Sequence, residues 1–131
     1  MIDTNTMSYI VKGSSPAARA KLAGLATGEI ACLSAITEAK LAYGMAKSPK
    51  AETLRPAIEG LLAKLQILPW GREAAQVYGQ LRARQEAAGK PLANLLIAAH
   101  AIASAAVLVT NDKSFAQVSG LVGIVSWATD R

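Results

Sequence analysis

The stretch Ala106-Val107-Leu108-Val109-Thr110-Asn111-Asp112 is an apolar run of strand length that ends abruptly in three polar residues. Such a run fits a strand buried on both faces that reaches the edge of its sheet. The same pattern recurs elsewhere. Met1-Ile2 runs straight into Asp3-Thr4-Asn5, and Glu29 to Leu33 runs into Ser34. Gln66 to Trp70 reads as a short strand or extended link, and Gly123 to Val125 as a last strand.

Helical patterns fill the intervals. Asp3, Thr4 or Asn5 can cap a helix to about Lys12, and Ser15-Pro16 starts a second that ends near Gly24. Ser34 caps a third, to about Ala46, before Ser48-Pro49 breaks the chain. Leu54, Ile58, Leu61, Leu62 and Leu65 then recur at helical spacing. Arg72 to Ala88 forms another helix, closed by Gly89 and Pro91, and Asn94 caps an Ala-rich helix to about Ala105. Strands alternating with helices imply right-handed crossovers, hence an α/β fold with a mainly parallel sheet. Ligands of such sheets bind at the carboxyl ends of the strands. That rule selects Asp3-Thr4-Asn5, Ser34, and Thr110-Asn111-Asp112.

The chain's 131 residues suit one domain, spanning 1–131. It is 52% hydrophobic but only 5% aromatic, so its core must come from Leu, Ile, Val and Ala. No uninterrupted apolar stretch is long enough for a membrane span, and no basic segment followed by an apolar run opens the chain as a signal peptide would. The lone Cys32 excludes an internal disulfide and points to the cytoplasm, with a packing role in the core. The net charge of +5 fits a polyanionic partner such as RNA and equally a surface that keeps the protein in solution.

Asp3 and Asp112 each follow a strand directly. Two carboxylates meeting at one sheet edge can hold Mg²⁺ or Mn²⁺, which prefer oxygen ligands. Each Asp taken alone also reads as a helix cap or turn former.

The combination is more specific. Ile2-Asp3-Thr4-Asn5 opens the chain. Ser34-Ala35-Ile36-Thr37 leads into Leu41-Ala42-Tyr43-Gly44, and Leu68-Pro69-Trp70 follows. Leu95-Leu96-Ile97-Ala98-Ala99-His100-Ala101 precedes Val109-Thr110-Asn111-Asp112 and Phe115, with Gly120-Leu121 and Trp127 closing the series. In order and spacing these blocks resemble the VapC-type toxins of the PIN-domain ribonuclease family over essentially the whole chain. The resemblance implies a three-layer α/β/α sandwich and an endoribonuclease dependent on Mg²⁺ or Mn²⁺. It also implies a homodimer held inactive by a VapB-like antitoxin. Asp3 matches the family's first acidic position and Asp112 its last, as metal-binding and catalytic residues. Asn5, Ser34 and Thr110 are candidates for positioning substrate or a metal-bound water, and cap roles explain Ser34 and Thr110 equally well.

Two departures stand against that pattern. Lys40 occupies a position where the family keeps Glu, and Asn94 occupies one where it keeps Asp. Glu38 does not replace the lost Glu, because two residues along a helix turn a side chain roughly 200° round the axis. Lys40 supplies a tethered cation where a metal would sit, and it would repel the metal. Asn94 can offer a neutral carbonyl to a metal but neither negative charge nor a base. The segment Gly89-Lys90-Pro91-Leu92-Ala93 is also about two residues shorter than the family's usual loop.

His100 could act as a base, though a packed helix histidine fits it as well. Arg82, Arg84 and Lys90 could meet RNA phosphates or simply face solvent. Two functions therefore stay open. One is a metal-dependent endoribonuclease toxin using Asp3 and Asp112 with help from Asn94. The other is a catalytically inactive binding module that engages an antitoxin or RNA, with Leu54–Leu65 and the helices near Tyr9 as walls of a peptide groove.

Overall fold

The computed structural model describes residues 1–90, 92 and 94–127. In chain order they form α1 (Thr4–Lys12), α2 (Pro16–Ala23), β1 (Cys32–Ser34), α3 (Ala35–Lys47), α4 (Ala51–Leu62), β2 (Gln66–Leu68), α5 (Arg72–Ala87), α6 (Leu95–Ala103), β3 (Leu108–Val109), a 3₁₀ turn (Lys113–Gln117) and β4 (Ile124–Val125).

Every strand pairing among these residues is parallel. β1 pairs with β2 in the register Cys32–Gln66, and β3 with β4 in the register Leu108–Ile124. Ile2 joins the two halves. It bridges Val109 in parallel, and its N–H donates to the Cys32 carbonyl at 3.0 Å. The lateral order is thus β2, β1, Ile2, β3, β4. From Ile2 the chain first builds outward on one side and then returns to build on the other. The reversal lies between Ile2 and β3, the point where parallel sheets open a crevice for ligands.

Neighbouring strand residues point to opposite faces, and the core divides accordingly. Met1, Cys32 and Leu108 belong to one buried cluster, which gathers Leu81 of α5 and Leu95, Ile97 and Ala98 of α6. Ile2, Leu33 and Val109 belong to a second, with Met7 and Ile10 of α1, Ala18 of α2 and the flanking Leu61 and Leu62 of α4. The expected α/β/α layering follows directly. α3 contributes to both sides, Ile36 to the first cluster and Leu41 to the second. Ile2, Leu33 and Leu108 are fully buried, each contributing about 1.5–3 kcal/mol of apolar transfer.

Several boundaries differ from the sequence reading. The expected strand Glu29–Leu33 begins only at Cys32 and includes Ser34, and Ile30 is 73% exposed. Its β-branched side chain mimics a strand residue, but no partner strand runs beside it. The final strands shorten to Leu108–Val109 and Ile124–Val125. The strand expected over Gln66–Trp70 stops at Leu68, before Pro69, which lacks an N–H for a ladder. Leu65, taken as part of the long helix, lies past its end but is buried. Of the loop expected to be short, Pro91 and Ala93 lie outside the described residues. The same holds for the expected closure of α5 by Pro91; Gly89 of that pair is present, with φ +71°.

Candidate active site

Asp3 stands at the reversal point and is 5% exposed. One carboxylate oxygen accepts the Thr6 N–H at 2.8 Å, capping α1. The other accepts the Thr110 hydroxyl at 2.5 Å. Thr110 follows β3, so this bond locks the ends of the two central strands together. The Thr110 hydroxyl in turn accepts the Asp112 N–H at 3.0 Å. Asp112 caps the 3₁₀ turn: its Oδ1 accepts the Ser114 N–H at 2.9 Å and the Ser114 hydroxyl at 2.7 Å. Those two bonds hold its carboxyl below the usual carboxylate range. The Asp3 carboxylate is therefore linked through Thr110 to the Asp112 backbone, and each carboxylate also serves as a cap.

A cleft of about 200 Å³ opens beside Asp3, lined by Asp3, Thr4, Asn5, Lys40, Asn94, Ile97 and Phe115. Four sequence-expected site residues thus meet in one cavity: Asp3, Asn5, Lys40 and Asn94. α1 presents Asn5, α3 presents Lys40, and Asn94 precedes α6. The first turn of α6 is anchored by the Trp70 indole N–H, which donates to the Leu96 carbonyl at 2.9 Å. Asn94 takes the expected cap position, but its side chain makes no cap hydrogen bond. Thr4 was not singled out from the sequence, although it sits inside the Asp3-Thr4-Asn5 block. Its hydroxyl donates to Thr37 at 3.3 Å and ties α1 to α3.

Other candidates lie elsewhere. Thr110 is buried behind Asp3 and does not line the cleft. Ser34 is fully buried; its hydroxyl caps α3 by accepting the Ile36 N–H at 3.1 Å and meets His100 Nδ1 at 2.7 Å. His100, 3% exposed, also meets the Pro69 carbonyl, and burial pushes its pKa down. This pair pins α6 to β1 inside the core, and neither side chain reaches the cleft. Glu38 lines a separate groove with Ala42, Arg55 and Glu59, on the side of α3 away from Asp3. Arg82 pairs with Glu86 at 2.9 Å along the exposed face of α5.

The donor set does not fit a tightly held Mg²⁺ or Mn²⁺. Asp3 is the one carboxylate lining the cleft, Asn5 and Asn94 are neutral, and Lys40 brings a cation into the same cavity. Among the described residues no three His, Cys, Asp or Glu side chains converge as a metal cluster. Hard divalent cations depend on the number of charged oxygen ligands, and here that number has fallen.

The PIN domain family model matches residues 1–121. Ribonuclease VapC2 of Rickettsia felis is 35% identical over 125 residues, 93% of each chain. The tRNA(fMet)-specific endonuclease VapC of Shigella flexneri is 33% identical over 124 residues, 92% of each chain. Among solved structures, VapBC2 of Rickettsia felis bound to a DNA fragment from its promoter superposes with a TM-score of 0.89 at 34% identity, covering 97% of both chains. VapBC of Salmonella typhimurium bound to DNA gives 0.87 at 33% identity, covering 97% of this chain and 96% of that one. A buried Asp at the reversal point of a parallel sheet, the order of the motifs and these full-length similarities agree: the chain belongs to the PIN-domain family, as a VapC-type toxin.

Proposed function

We propose that this chain is the toxin subunit of a VapBC-type pair whose Mg²⁺- or Mn²⁺-dependent cleavage of RNA phosphodiesters is strongly impaired. It acts chiefly by binding. A VapB-like antitoxin and RNA are its partners, a homodimer its assembly, and the cytoplasm its compartment. The observation that carries this reading is the presence of Lys40 and Asn94 in one cleft with Asp3. The remaining donors for a divalent cation would be Asp3 and Asp112, assisted by Asn94. When bound, such an ion supplies charge neutralisation at the phosphodiester and a polarised water. The chain's own contribution is to hold Asp3 in place through Thr6 and Thr110.

The test compares Mn²⁺-dependent cleavage of RNA by this chain and by a Lys40→Glu/Asn94→Asp variant. A rate at least about a hundredfold higher in the variant is expected, the scale of losing a properly placed electrostatic group. Equal, metal-dependent cleavage by both proteins would instead establish an active endoribonuclease that needs only Asp3 and Asp112.

A further inference from the structure

Asn94 opens α6, yet its side chain makes no cap hydrogen bond, and much of the helix's buried face is alanine, at Ala98, Ala99 and Ala101. Methyl groups interlock poorly, so apolar packing alone leaves the rotation and slide of such a helix loosely set. Three polar bonds hold it instead. Pro69 and Trp70, adjacent in the link after β2, grip α6 one turn apart. The Trp70 indole N–H donates to the Leu96 carbonyl at 2.9 Å, and the Pro69 carbonyl meets His100. The third bond joins His100 Nδ1 at 2.7 Å to the Ser34 hydroxyl, which also caps α3. A carbonyl only accepts, so the ring proton lies toward Pro69 and Nδ1 accepts from Ser34. Ser34 precedes Lys40 by six residues, and His100 follows Asn94 by six. One buried bond therefore ties α3 to α6 about 9 Å along each helix from a residue that lines the cleft.

We propose that His100 is a positioning residue for the cleft. Through Ser34 and Pro69, with Trp70 as a second grip, it fixes the rotation and axial position of α6 against α3, and with them the placing of Asn94 relative to Lys40 and Asp3. This deepens the function proposed above and rests on its reading of that cleft as the place where a divalent ion would bind. A buried imidazole and hydroxyl cost desolvation that an apolar pair would not. What their directional bonds add is a single helix position, and sites for ions and phosphates tolerate only small displacements of the groups that form them. The rival reading is a brace that stabilises the core and leaves the cleft as it was.

Two readouts test this, both taken below the melting temperature of every variant. The first is the nuclear magnetic resonance of the Asn94 side-chain amide in the full chain without metal. Ser34→Ala and His100→Ala should each move it, although neither residue lines the cleft. Ser34→Ala also removes the α3 cap, which His100→Ala leaves in place, so agreement of the two isolates the bond they share. Trp70→Phe, which loses the N–H and keeps the ring against Tyr78, should move it too. His100→Asn, which keeps a polar group where Nδ1 lies, should bring it most of the way back. The second readout is Mn²⁺ affinity in the Lys40→Glu/Asn94→Asp background. Adding His100→Ala should weaken it about tenfold or more, the scale of losing an outer partner of a metal ligand, and adding His100→Asn instead should recover most of that loss. An unmoved Asn94 resonance, a Mn²⁺ affinity unchanged by His100→Ala, or a loss that His100→Asn shares in full overturns the proposal, even where melting temperatures fall. If the Lys40→Glu/Asn94→Asp variant binds no Mn²⁺, the function proposed above falls, and the Asn94 resonance in the unaltered chain still decides the positioning role.

Discussion

Asp3 combines a structural role with its candidate role at the site. As cap and strand lock it accepts one hydrogen bond on each oxygen, from Thr6 and Thr110, and as a metal ligand it would use the remaining lone pairs. An Asp3→Ala variant therefore loses a buried cap and leaves the Thr110 hydroxyl unpaired, and its inactivity alone would not reveal a metal role. Lys40 is exposed and makes no hydrogen bond or ion pair among the described residues, so exchanging it alters the charge of the cleft with little effect on the fold. His100 offers a separate handle. Its pKa is lowered by burial, so the folded state favours the neutral ring. As pH falls below about 6.5 the unfolded chain takes up the proton first, and stability declines until the folded-state pKa is passed; above that range the residue adds no pH dependence. Thermal melts between pH 7 and pH 5 should show this decline, and His100→Gln should flatten it. An unchanged pH slope in the variant would remove His100 as its source.

At the scale of elements, legibility followed how far each signal was local. Capped helices were readable: Asp3 before α1, Ser15-Pro16 before α2 and Ser34 before α3 all announce themselves within a few residues. Strands were less so, because a strand exists only where a distant partner lies alongside. Ile30 has the chemistry of a strand residue but no neighbour, whereas Ile2 becomes central to the sheet through Cys32 and Val109. The end of α6 was overestimated for a different reason. Ala105, with φ +52°, closes the helix in the left-handed region where glycine is the usual signal, and the Ala106 N–H returns to the Ala101 carbonyl at 2.9 Å. Alanine is strained there, so Ala105→Gly should stabilise the protein by about 1 kcal/mol, measured by urea denaturation. A loss of stability would contradict the helix closure described.

Across the whole molecule, the strand order puts Asp3 and Thr110 side by side although 107 positions separate them. The sequence pattern indicated that strand ends would converge, and the resemblance to VapC toxins supplied candidate side chains, of which Asp3, Asn5, Lys40 and Asn94 share one cleft. Neither could show that Ser34 turns into the core toward His100, because that choice depends on α6 packing across β1. Two walls of a groove between α1, α3 and α4 were legible, as Leu54–Leu65 and the helices near Tyr9, whereas the part played by α3 was not. The family scaffold is intact, and the function proposed above requires its cleft to bind divalent cations poorly. Lys40→Glu with Asn94→Asp changes the cleft by three charge units. At an effective dielectric of about 20 such charges act on a divalent ion with several kcal/mol. Titration of Mn²⁺ into both proteins, followed by the paramagnetic resonance of the free ion, tests this most directly. The account predicts no saturable site in the unaltered chain and binding at least about a hundredfold tighter in the variant. Equal, saturable Mn²⁺ binding by both proteins would contradict it.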